Sequence, residues 1–517
     1  MTSHATETNM EYGISNIAKN KKRNSKFSKA DIRHSRVLIL GLGSYPQGTG
    51  VSSAIYFAKQ GHDVLATDLK TAEQIGENVR TLEVYKNVQF HLGGERIEDV
   101  DWADVIVQNP GVRRQNLLFK RAVHLNKQLI NDITIFLEKA TCLTIGITGT
   151  RGKSTTTAWI ADMLRRSGKK VYVGGNITVS PLTFLDEAKK TDIAVIELSS
   201  WLLETCGLNG ISPKIAVWTN VMSDHLNTYD GLEDYAEAKA QIMRNQKPGD
   251  LFIPNLDDKF VSSYVDEAPG KVLGFSSGHP RRGTPLWAPN SKTTKLGAWI
   301  AKGKIIALIK GKATEILPVS DIGLIGEHNI MNALGSVVAA FSAGANLKGV
   351  KESLMKFGGV PFRQEKIAVK NGITFINDTT ATTPDAAIAA LNAFAHPIGK
   401  VTSYKLQESR IVHWICGGAD KGLDFSPLAK VIKGKNIKIH VLIGTALDKF
   451  TAALKKQKLV FDTHDTLADA FHACVTEAKP GDAVLLSPAC ASFGLFKNEF
   501  DRGGQYNALV EQWNKQS

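Results

Sequence analysis

The stretch Ile147–Thr155, ITGTRGKST, has the residue types of a phosphate-binding loop. Such a loop surrounds anionic oxygens with backbone N–H groups at the start of a helix, while lysine supplies a charge and serine or threonine a metal ligand. The common pattern G-x-x-x-x-G-K-[ST] has a glycine where this chain has Ile147, and Gly149 can open a tighter turn instead. The sequence therefore predicts a nucleotide site around Gly149, Lys153 and Ser154.

Further polar residues follow later strands, where the Mg²⁺ that accompanies a nucleotide is commonly held. Glu197 ends the apolar run DIAVIELSS, and Asp224 and His225 follow the run KIAVWTNV. Lys239 stands between alanines in a helical segment, Glu233–Met243. Strand-end acids and single histidines are also often solvated or structural, which is the alternative interpretation. The nearby phosphate loop favours the metal-binding interpretation.

The elements that must position these residues begin with a nucleotide-binding type of unit. Arg36–Gly43 predicts a strand that enters a glycine turn, Val51–Gly61 a helix, and His62–Asp68 a second strand that ends in an acid. Ala103–Val112 predicts another strand, which ends in a Pro-Gly turn. This order is typical of a Rossmann-like domain. Ser44–Gln47 interrupts the usual glycine spacing, so NAD binding is only a minor alternative.

Two more α/β units follow in the predicted order. A strand at Leu143–Thr148, a helix at Thr155–Gly168 and alternating apolar runs predict a doubly wound parallel sheet. From Gly358 the runs ITFIND, IVHWICGG, KIHVLIG and DAVLLSP predict a third unit. We predict an α/β chain with an N-terminal Rossmann-like domain, a central P-loop ATPase-like domain with a parallel sheet and a C-terminal Rossmann-like domain. The predicted bounds are 1–35 for a basic tail, then 36–139, 140–357 and 358–517.

The composition narrows the class of protein. A chain of 517 residues with 43% hydrophobic residues is long enough for about two to four domains. Its apolar runs are shorter than the ~18 residues of a membrane helix, and its N-terminus lacks the apolar core of a secretory signal. Five dispersed cysteines are typical of reduced thiols in a reducing compartment. We expect a cytoplasmic protein without stable membrane insertion.

Part of the net charge of +13 is concentrated near the N-terminus, where the first 36 residues hold eight Lys or Arg and three acidic residues. That segment lacks a sustained hydrophobic period, which predicts a mobile, solvated tail. An arm that contacts RNA or anionic lipid is the alternative. The remaining positive charge suits an anionic small-molecule substrate, and we expect no nucleic-acid partner.

Beyond the phosphate loop, a series of motifs occurs in an order known from one family. The motifs are GTRGKST, ELSS, NVMSDHLNTY, EAKAQI, GEHNIMN, PFRQE, INDTTATTPDA, GGADKGLDF and LSPACASFGLFKNEFDRG. On these motifs the chain resembles the Mur ligases over about residues 36–517. The phosphate loop of that family reads G-T-x-G-K-[ST], which accounts for the missing outer glycine.

The resemblance implies roles for individual residues. For ATP it implies contacts from Gly149, Thr150, Gly152, Lys153, Ser154, Thr155, Asn329, Asn332, Arg363 and Asp378. For the UDP-linked substrate it implies contacts from Thr49, Asp68, Pro110, Gly111, Asn176 and Ser199. For glutamate it implies contacts from Thr382, Lys421, Ser492 and Phe500. It also implies two Mg²⁺ ions held by Ser154, Glu197, His225 and a carbamylated Lys239, and catalytic roles for Lys153, His225 and Lys239.

The resemblance further implies a reaction, the ATP-dependent addition of D-glutamate to UDP-N-acetylmuramoyl-L-alanine through an acyl phosphate. This is a step of cytoplasmic peptidoglycan precursor synthesis, and we expect a monomer to perform it. Addition of L-glutamate or another amino acid is one alternative. A non-catalytic, ligase-like binding protein is the other.

Four departures from the family pattern bear on these expectations. The Ser44–Gln47 insertion alters the uridine loop. Phe362 stands where histidine is common, Thr380 stands where many relatives have lysine, and Glu499 shifts the aromatic that covers glutamate to Phe500. The last two fall at the predicted amino-acid site, so the choice of amino acid depends on them while the type of reaction does not.

Overall fold

A computed structural model describes residues 34–176, 179–224, 228–278, 294–324, 326–395, 411–420, 422–492 and 494–516. His225, Lys421 and nearly all of the predicted basic tail lie outside these ranges. The chain divides into two compact units, one made of the residues up to Val319 together with Glu327–Met355, the other of Ser320–Gly326 and Lys356–Ser517.

The first unit begins with a five-stranded parallel sheet in the order β3-β2-β1-β4-β5. Its strands are β1 Arg36–Leu40, β2 Asp63–Asp68, β3 Val88–Leu92, β4 Val105–Gln108 and β5 Gln128–Ile130. Its helices are α1 Thr49–Lys59, α2 Gly76–Leu82, α3 Ile97–Trp102, α4 Leu117–His124 and α5 Asp132–Lys139. Strand β1 is buried on both faces from Val37 onward, which explains its continuous apolar run.

The same unit contains a nine-stranded sheet in the order β14-β13-β12-β11-β10-β9-β6-β8-β7. Its strands are β6 Leu143–Thr148, β7 Val171–Gly175, β8 Ile193–Glu197, β9 Ile215–Trp218, β10 Leu251–Pro254, β11 Lys271–Ser276, β12 Thr294–Ala301, β13 Lys304–Ile309 and β14 Lys312–Pro318. Its α-helices are α6 Lys153–Arg166, α7 Ser200–Leu208, α8 Leu232–Arg244, α9 Lys259–Ser263, α10 Glu327–Ser342 and α11 Leu347–Lys356. Short 3₁₀ turns occur at Pro181–Phe184, Val265–Glu267 and Val319–Asp321.

The second unit contains a six-stranded sheet in the order β15-β16-β20-β17-β18-β19, and only the edge strand β15 of this sheet is antiparallel to its neighbour among the described residues. Its strands are β15 Glu365–Lys370, β16 Ile373–Asn377, β17 Val412–Gly417, β18 Ile437–Leu442, β19 Asp462–His464 and β20 Ala483–Leu486. Its helices are α12 Pro384–Phe394, α13 Ser426–Ile432, α14 Leu447–Lys456, α15 Leu467–Glu477 and α16 Glu499–Gln516.

The predicted parallel sheets are present, with differences at the edges. Strand β6 has the predicted bounds, whereas helix α6 begins at Lys153 rather than Thr155 and ends at Arg166. The central sheet is not wholly parallel, because β12, β13 and β14 form antiparallel hairpins at one edge. The predicted domain bounds at 139/140 and 357/358 remain predictions. Within the described residues, no helix is both long enough and apolar enough to span a bilayer.

Candidate active site

The phosphate loop joins β6 to α6 as a tight turn that two glycines permit. Gly149 has φ +148° and Gly152 has φ +84°, where it caps the N-terminus of α6. A Cβ atom at Gly149 would lie 1.9 Å from Thr219 Oγ1, and one at Gly152 would lie 2.2 Å from Asn332 Oδ1. Ile147, in contrast, is a fully buried strand residue. The turn therefore needs its glycines at 149 and 152 and an apolar residue at 147.

Two residues that directly follow the neighbouring strand β9 hold this loop, and the sequence analysis did not single them out. Thr219 Oγ1 donates to Arg151 O at 2.7 Å, and Asn220 Oδ1 accepts from Arg151 N at 2.9 Å. Thr150 N also donates to Asn220 O at 3.0 Å. The signal in the sequence was the polar pair Thr-Asn directly after an apolar strand. These contacts fix the backbone amides of the loop before any ligand binds.

Two lysine amines converge on one carbonyl of the loop. Lys153 Nζ donates to Gly149 O at 3.0 Å and to Thr150 O at 3.1 Å. Lys239 Nζ, from α8, donates to the same Gly149 oxygen at 3.1 Å. Burial, and secondarily the charge of Lys153, holds the pKa of Lys239 well below its usual range. The lowered pKa makes the neutral, nucleophilic form of this amine more accessible than in a solvated lysine.

Glu197 ends β8, directly beside the strand that leads into the loop. Its carboxylate is buried, and Oε1 accepts from Asn176 Nδ2 at 3.1 Å. Its Oε2 is buried without a hydrogen-bond partner among the described residues. A carboxylate oxygen left open in this way, with the Ser154 hydroxyl in the first turn of α6, is the hard-oxygen donor set that Mg²⁺ prefers. The residues present therefore fit a magnesium ion.

The second predicted ion depends on His225, which lies outside the described residues. Strand β9 ends at Trp218, so Asp224 does not follow the strand directly as expected but lies beyond the intervening segment Thr219–Ser223. The charge of Asp224 opposes the lowering of the pKa of Lys239, which indicates that the two side chains are near each other.

Helix α10 brings Asn329 and Asn332 to the loop. Asn332 Nδ2 donates to Asn329 Oδ1 at 3.1 Å, and Asn332 Oδ1 accepts a 3.4 Å contact from Thr156 Oγ1. Both amides are buried. Asn332 lies against Gly152 and therefore supports the loop. The adenine contacts of Asn329 and Asn332 remain predictions.

The predicted uridine residues lie at the carboxyl edge of the N-terminal sheet. Asp68 Oδ2 accepts from Gly43 N at 2.7 Å, and Thr49 Oγ1 donates to Asp132 Oδ2 at 3.1 Å. The Ser44–Gln47 insertion forms a turn whose Gln47 oxygen accepts from Ser180 N at 2.7 Å. The insertion therefore links the N-terminal sheet to the segment that follows β7.

The turn at Pro110 and Gly111 continues into a loop that docks on the central domain. Gly111 N donates to Asn109 Oδ1 at 2.9 Å, and Arg114 Nη2 donates to Thr228 O at 2.9 Å. Ser199, predicted to face the substrate, is buried and caps helix α7 by accepting from Leu202 N at 3.3 Å. Its predicted substrate contact remains a prediction.

The Arg114 guanidinium also forms an ion pair with Asp234 and lies 3.8 Å from Glu204 Oε1. The Glu204 carboxyl is buried, and this burial raises its pKa to about 7 despite the opposing charge of Arg114. A group of charged residues thus joins the N-terminal and central domains inside the first unit.

In the second unit, Arg363 stands on a tight turn between two residues with left-handed backbone, Phe362 at φ +65° and Gln364 at φ +48°. Asp378 Oδ1 accepts from Gln364 N at 3.1 Å, and Thr380 Oγ1 donates to Phe362 O at 3.0 Å. Burial raises the pKa of Asp378 to about 7. Asp378 and Thr380 therefore hold the turn that presents Arg363, which is exposed.

Three of the four departures from the family pattern are neighbours in this unit. Phe362 contacts Phe500 edge to face with ring centroids 6.0 Å apart, and Thr380 holds the Phe362 carbonyl. Arg502, which the sequence analysis missed, is fully buried and donates to Thr379 O at 2.9 Å. The predicted glutamate residues Thr382 and Ser492 are described, and Ser492 is buried.

The site combines a phosphate loop whose tight turn requires two glycines with a buried carboxylate, one oxygen of which has no partner among the described residues, and a buried lysine amine. This combination is typical of a nucleotide-binding α/β protein. Three family models match the chain: the Mur ligase MurD-like N-terminal domain at residues 35–131, the Mur ligase middle domain at 147–340 and the Mur ligase glutamate ligase domain at 362–490. The chain belongs to the Mur ligase family. The predicted family and three-domain α/β fold class are confirmed.

A relative at 34% identity agrees with this assignment, and two solved structures share the fold. The chain is 34% identical over 484 residues to the UDP-N-acetylmuramoylalanine--D-glutamate ligase of Roseiflexus sp. (strain RS-1). The alignment covers 92% of this chain and 98% of the relative. The crystal structure of UDP-N-acetylmuramate-alanine ligase MurC from Thermotoga maritima aligns with a TM-score of 0.55 at 19% identity, over 94% of this chain and 100% of that one. The MurF ligase of Thermotoga maritima, solved in complex with ADP, aligns with a TM-score of 0.51 at 17% identity, over 96% and 99%.

Proposed function

We propose that this protein is an ATP-dependent ligase that joins D-glutamate to UDP-N-acetylmuramoyl-L-alanine in peptidoglycan precursor synthesis. The observation that carries the proposal is the convergence of Lys153, Lys239 and the phosphate loop on Gly149, beside the open Glu197 carboxylate. The likeness to a D-glutamate ligase along nearly its whole length supports the choice of substrates. The predicted cytoplasmic location and monomeric state belong to the same proposal.

The reaction runs in two steps. The terminal carboxylate of the UDP-linked substrate attacks the γ-phosphate of ATP, which gives an acyl phosphate and ADP. The amine of glutamate then attacks the acyl carbon and phosphate leaves. The loop amides and Lys153 stabilise the negative charge of the transferred phosphoryl group, and catalysis is mainly positioning and electrostatics.

Glu197 and Ser154 would hold Mg²⁺, which when bound neutralises charge on the phosphates. Predicted contacts of Thr155, Arg363 and Asp378 with ATP, and of Thr382, Lys421, Ser492 and Phe500 with glutamate, are part of the proposal. The same holds for the uridine-side residues Thr49, Asp68, Pro110, Gly111 and Asn176.

Lys239 is proposed to be carbamylated by CO₂. Its amine is fully buried beside Lys153, so a cationic form is disfavoured and a neutral amine can add to CO₂. The carbamate carries a negative charge, which suits a group that faces Lys153 and a metal ion.

Phosphate release by the purified protein tests the function. ATP, Mg²⁺ and UDP-N-acetylmuramoyl-L-alanine are supplied with D-glutamate, L-glutamate, L-lysine or diaminopimelate in parallel. Release with D-glutamate alone is expected, and Lys153→Ala should lower it by about 100-fold or more. Lys170→Ala, an exposed lysine beyond α6, serves as the control and should keep wild-type turnover.

The other outcomes separate the alternatives. Release with L-glutamate would keep the mechanism and change the substrate, which would point to the Phe362, Thr380 and Phe500 group. No release with any amine would overturn the enzymatic function and favour a ligase-like binding protein.

Lys239→Met tests the buried amine separately. Loss of the amine should abolish turnover, yet the free energy of unfolding should stay equal or rise, because a buried polar group is replaced by an apolar one. Chemical denaturation together with the phosphate assay checks both. A variant that loses stability and activity in proportion would mean that Lys239 is merely structural.

A further inference from the structure

Three side chains of types that commonly bind metals converge inside the second unit, apart from the predicted ATP and glutamate residues. His413 lies on β17, His440 on β18 and Cys474 on α15. One ring nitrogen of each histidine and the cysteine sulfur lie within 4.8 Å of one another. His413 and Cys474 are fully buried and His440 is 1% exposed.

Polar atoms in this cluster lack the partners that burial normally requires. Both ring nitrogens of His413 and Nε2 of His440 form no hydrogen bond of ordinary length with the described part of the chain. Asp482 Oδ2, which accepts from Lys479 N at 2.8 Å, lies 3.5 Å from His413 Nε2, a long contact for one of these nitrogens. Buried nitrogen atoms without partners are costly, and native proteins rarely leave several together.

The second ring nitrogen of His440 is oriented by a neighbour. His440 Nδ1 lies 3.1 Å from His464 Nε2, on the edge strand β19. Metal-binding histidines use one ring nitrogen for the metal while a hydrogen bond on the other orients the ring, and His464 could supply that bond here. His464 would then be a positioning residue and His440 the ligand.

We propose that His413, His440 and Cys474 bind one transition-metal ion, with Zn²⁺ as the expected ion. Two imidazole nitrogens and a thiolate sulfur are the donors that zinc prefers, whereas Mg²⁺ takes oxygen ligands. Zn–N bonds of about 2.0–2.1 Å and Zn–S bonds of about 2.3 Å place tetrahedral donors roughly 3.3–3.8 Å apart, so the ion would draw these three atoms together from separations of up to 4.8 Å.

The position of the cluster indicates a structural role. His413 is the second residue of β17 and pairs in register with Lys438, near the amino end of the parallel strands. The residues predicted to act in the reaction, such as Asp378, follow the carboxyl ends. The ion would tie α15 to β17 and β18. The proposal is independent of the ligase activity, and the failure of either leaves the other standing.

Metal analysis of the full-length protein tests the site. The protein is expressed with Zn²⁺ or with Co²⁺ in the medium, freed of loose metal by gel filtration and assayed by mass spectrometry. We expect one ion per chain, and for Co²⁺ a thiolate-to-metal charge-transfer band. Cys474→Ser should lower the bound metal at least tenfold and remove that band.

Cys416→Ser is the matched control. Cys416 is also fully buried, on β17, and its Sγ donates to the backbone carbonyl of His440 at 3.6 Å. It is not one of the three clustered donor atoms, so it tests whether losing a nearby thiol alone changes metal binding. It should leave metal content unchanged. His464→Gln should weaken metal affinity about 10–100-fold while the charge-transfer band at saturation persists.

Wild-type protein that holds no stoichiometric metal under either condition would overturn the proposal. A Co²⁺ complex without a thiolate band would do so as well. Both measurements are made on the wild-type chain, so they decide the question even if Cys474→Ser fails to fold.

Discussion

Glu204 shows what burial does to a single ionisable side chain in this protein. Its carboxyl lies under Arg114 and next to Tyr229, and desolvation raises its pKa from the ordinary 4.5 to about 7. The folded protein therefore keeps a proton that the unfolded chain loses between these two pH values. Its contribution to stability is present at low pH and is lost as the pH rises through about 7.

Glu204→Gln should remove this dependence on pH. Relative to the wild type, the variant should gain free energy of unfolding on the order of 1–3 kcal/mol as the pH rises from about 5 to 8. Urea unfolding at several pH values measures the difference. Glu98→Gln, at an exposed position on α3, should track the wild type throughout. Parallel curves for Glu204→Gln and the wild type would contradict the expectation.

Helix α6 is flanked by two glycines that share a left-handed backbone conformation but differ in the space around the Cα atom. Gly152 precedes it with φ +84° and Gly168 follows it with φ +78°. A Cβ atom at Gly168 meets nothing within 4 Å, whereas one at Gly152 lies 2.2 Å from Asn332 Oδ1. The two positions share backbone strain but not the steric contact.

Gly152→Ala and Gly168→Ala therefore form a matched pair. Each should lose about 1–2 kcal/mol of stability through backbone strain. Gly152→Ala should also displace Asn332 or the loop and weaken binding of a non-hydrolysable ATP analogue at least tenfold, while Gly168→Ala should bind it normally. Calorimetric titration measures this. Equal affinities for the two variants would show that the loop tolerates a side chain at 152.

For the molecule as a whole, the docking of the N-terminal domain on the central domain depends on Arg114. Its side chain is only 12% exposed. The guanidinium forms ion pairs with Asp234 and Glu204 and donates a hydrogen bond to the Thr228 carbonyl. Removing one partner of a buried charge group leaves the others uncompensated. The loop that carries Arg114 also carries the Pro110-Gly111 turn proposed to contact uridine.

Arg114→Ala should accordingly cost about 3–5 kcal/mol of stability and raise KM for the UDP-linked substrate more than it lowers kcat. Arg121→Ala breaks an ion pair with Asp101 whose side chains are 38% and 42% exposed, and it should cost less than about 1 kcal/mol. Urea unfolding and steady-state kinetics check both variants. A similar small cost for the two arginines would mean that the Arg114 group adds nothing to docking.

The sequence by itself determined the class of this protein and much of its layout. Apolar runs of four to six residues before glycine turns specify buried parallel strands, and the Gly149 to Ser154 segment predicts a phosphate loop, because local backbone geometry dictates both. The antiparallel hairpins β12 to β14 were not predicted, although two-residue turns at Lys302-Gly303 and Lys310-Gly311, all with positive φ, close them.

Only the tertiary structure decided which residues meet. Thr219 and Asn220 support the phosphate loop through Arg151, which lies 68 and 69 residues away along the chain. Arg502 supports Thr379, which lies 123 residues away. No local pattern encodes such pairings. The same holds for Thr380 with Phe362, for Arg114 with Glu204, and for His413, His440 and Cys474. Burial, and with it the pKa of a lysine or carboxyl group, is a property of the packed fold, because it depends on every element that excludes water from the group.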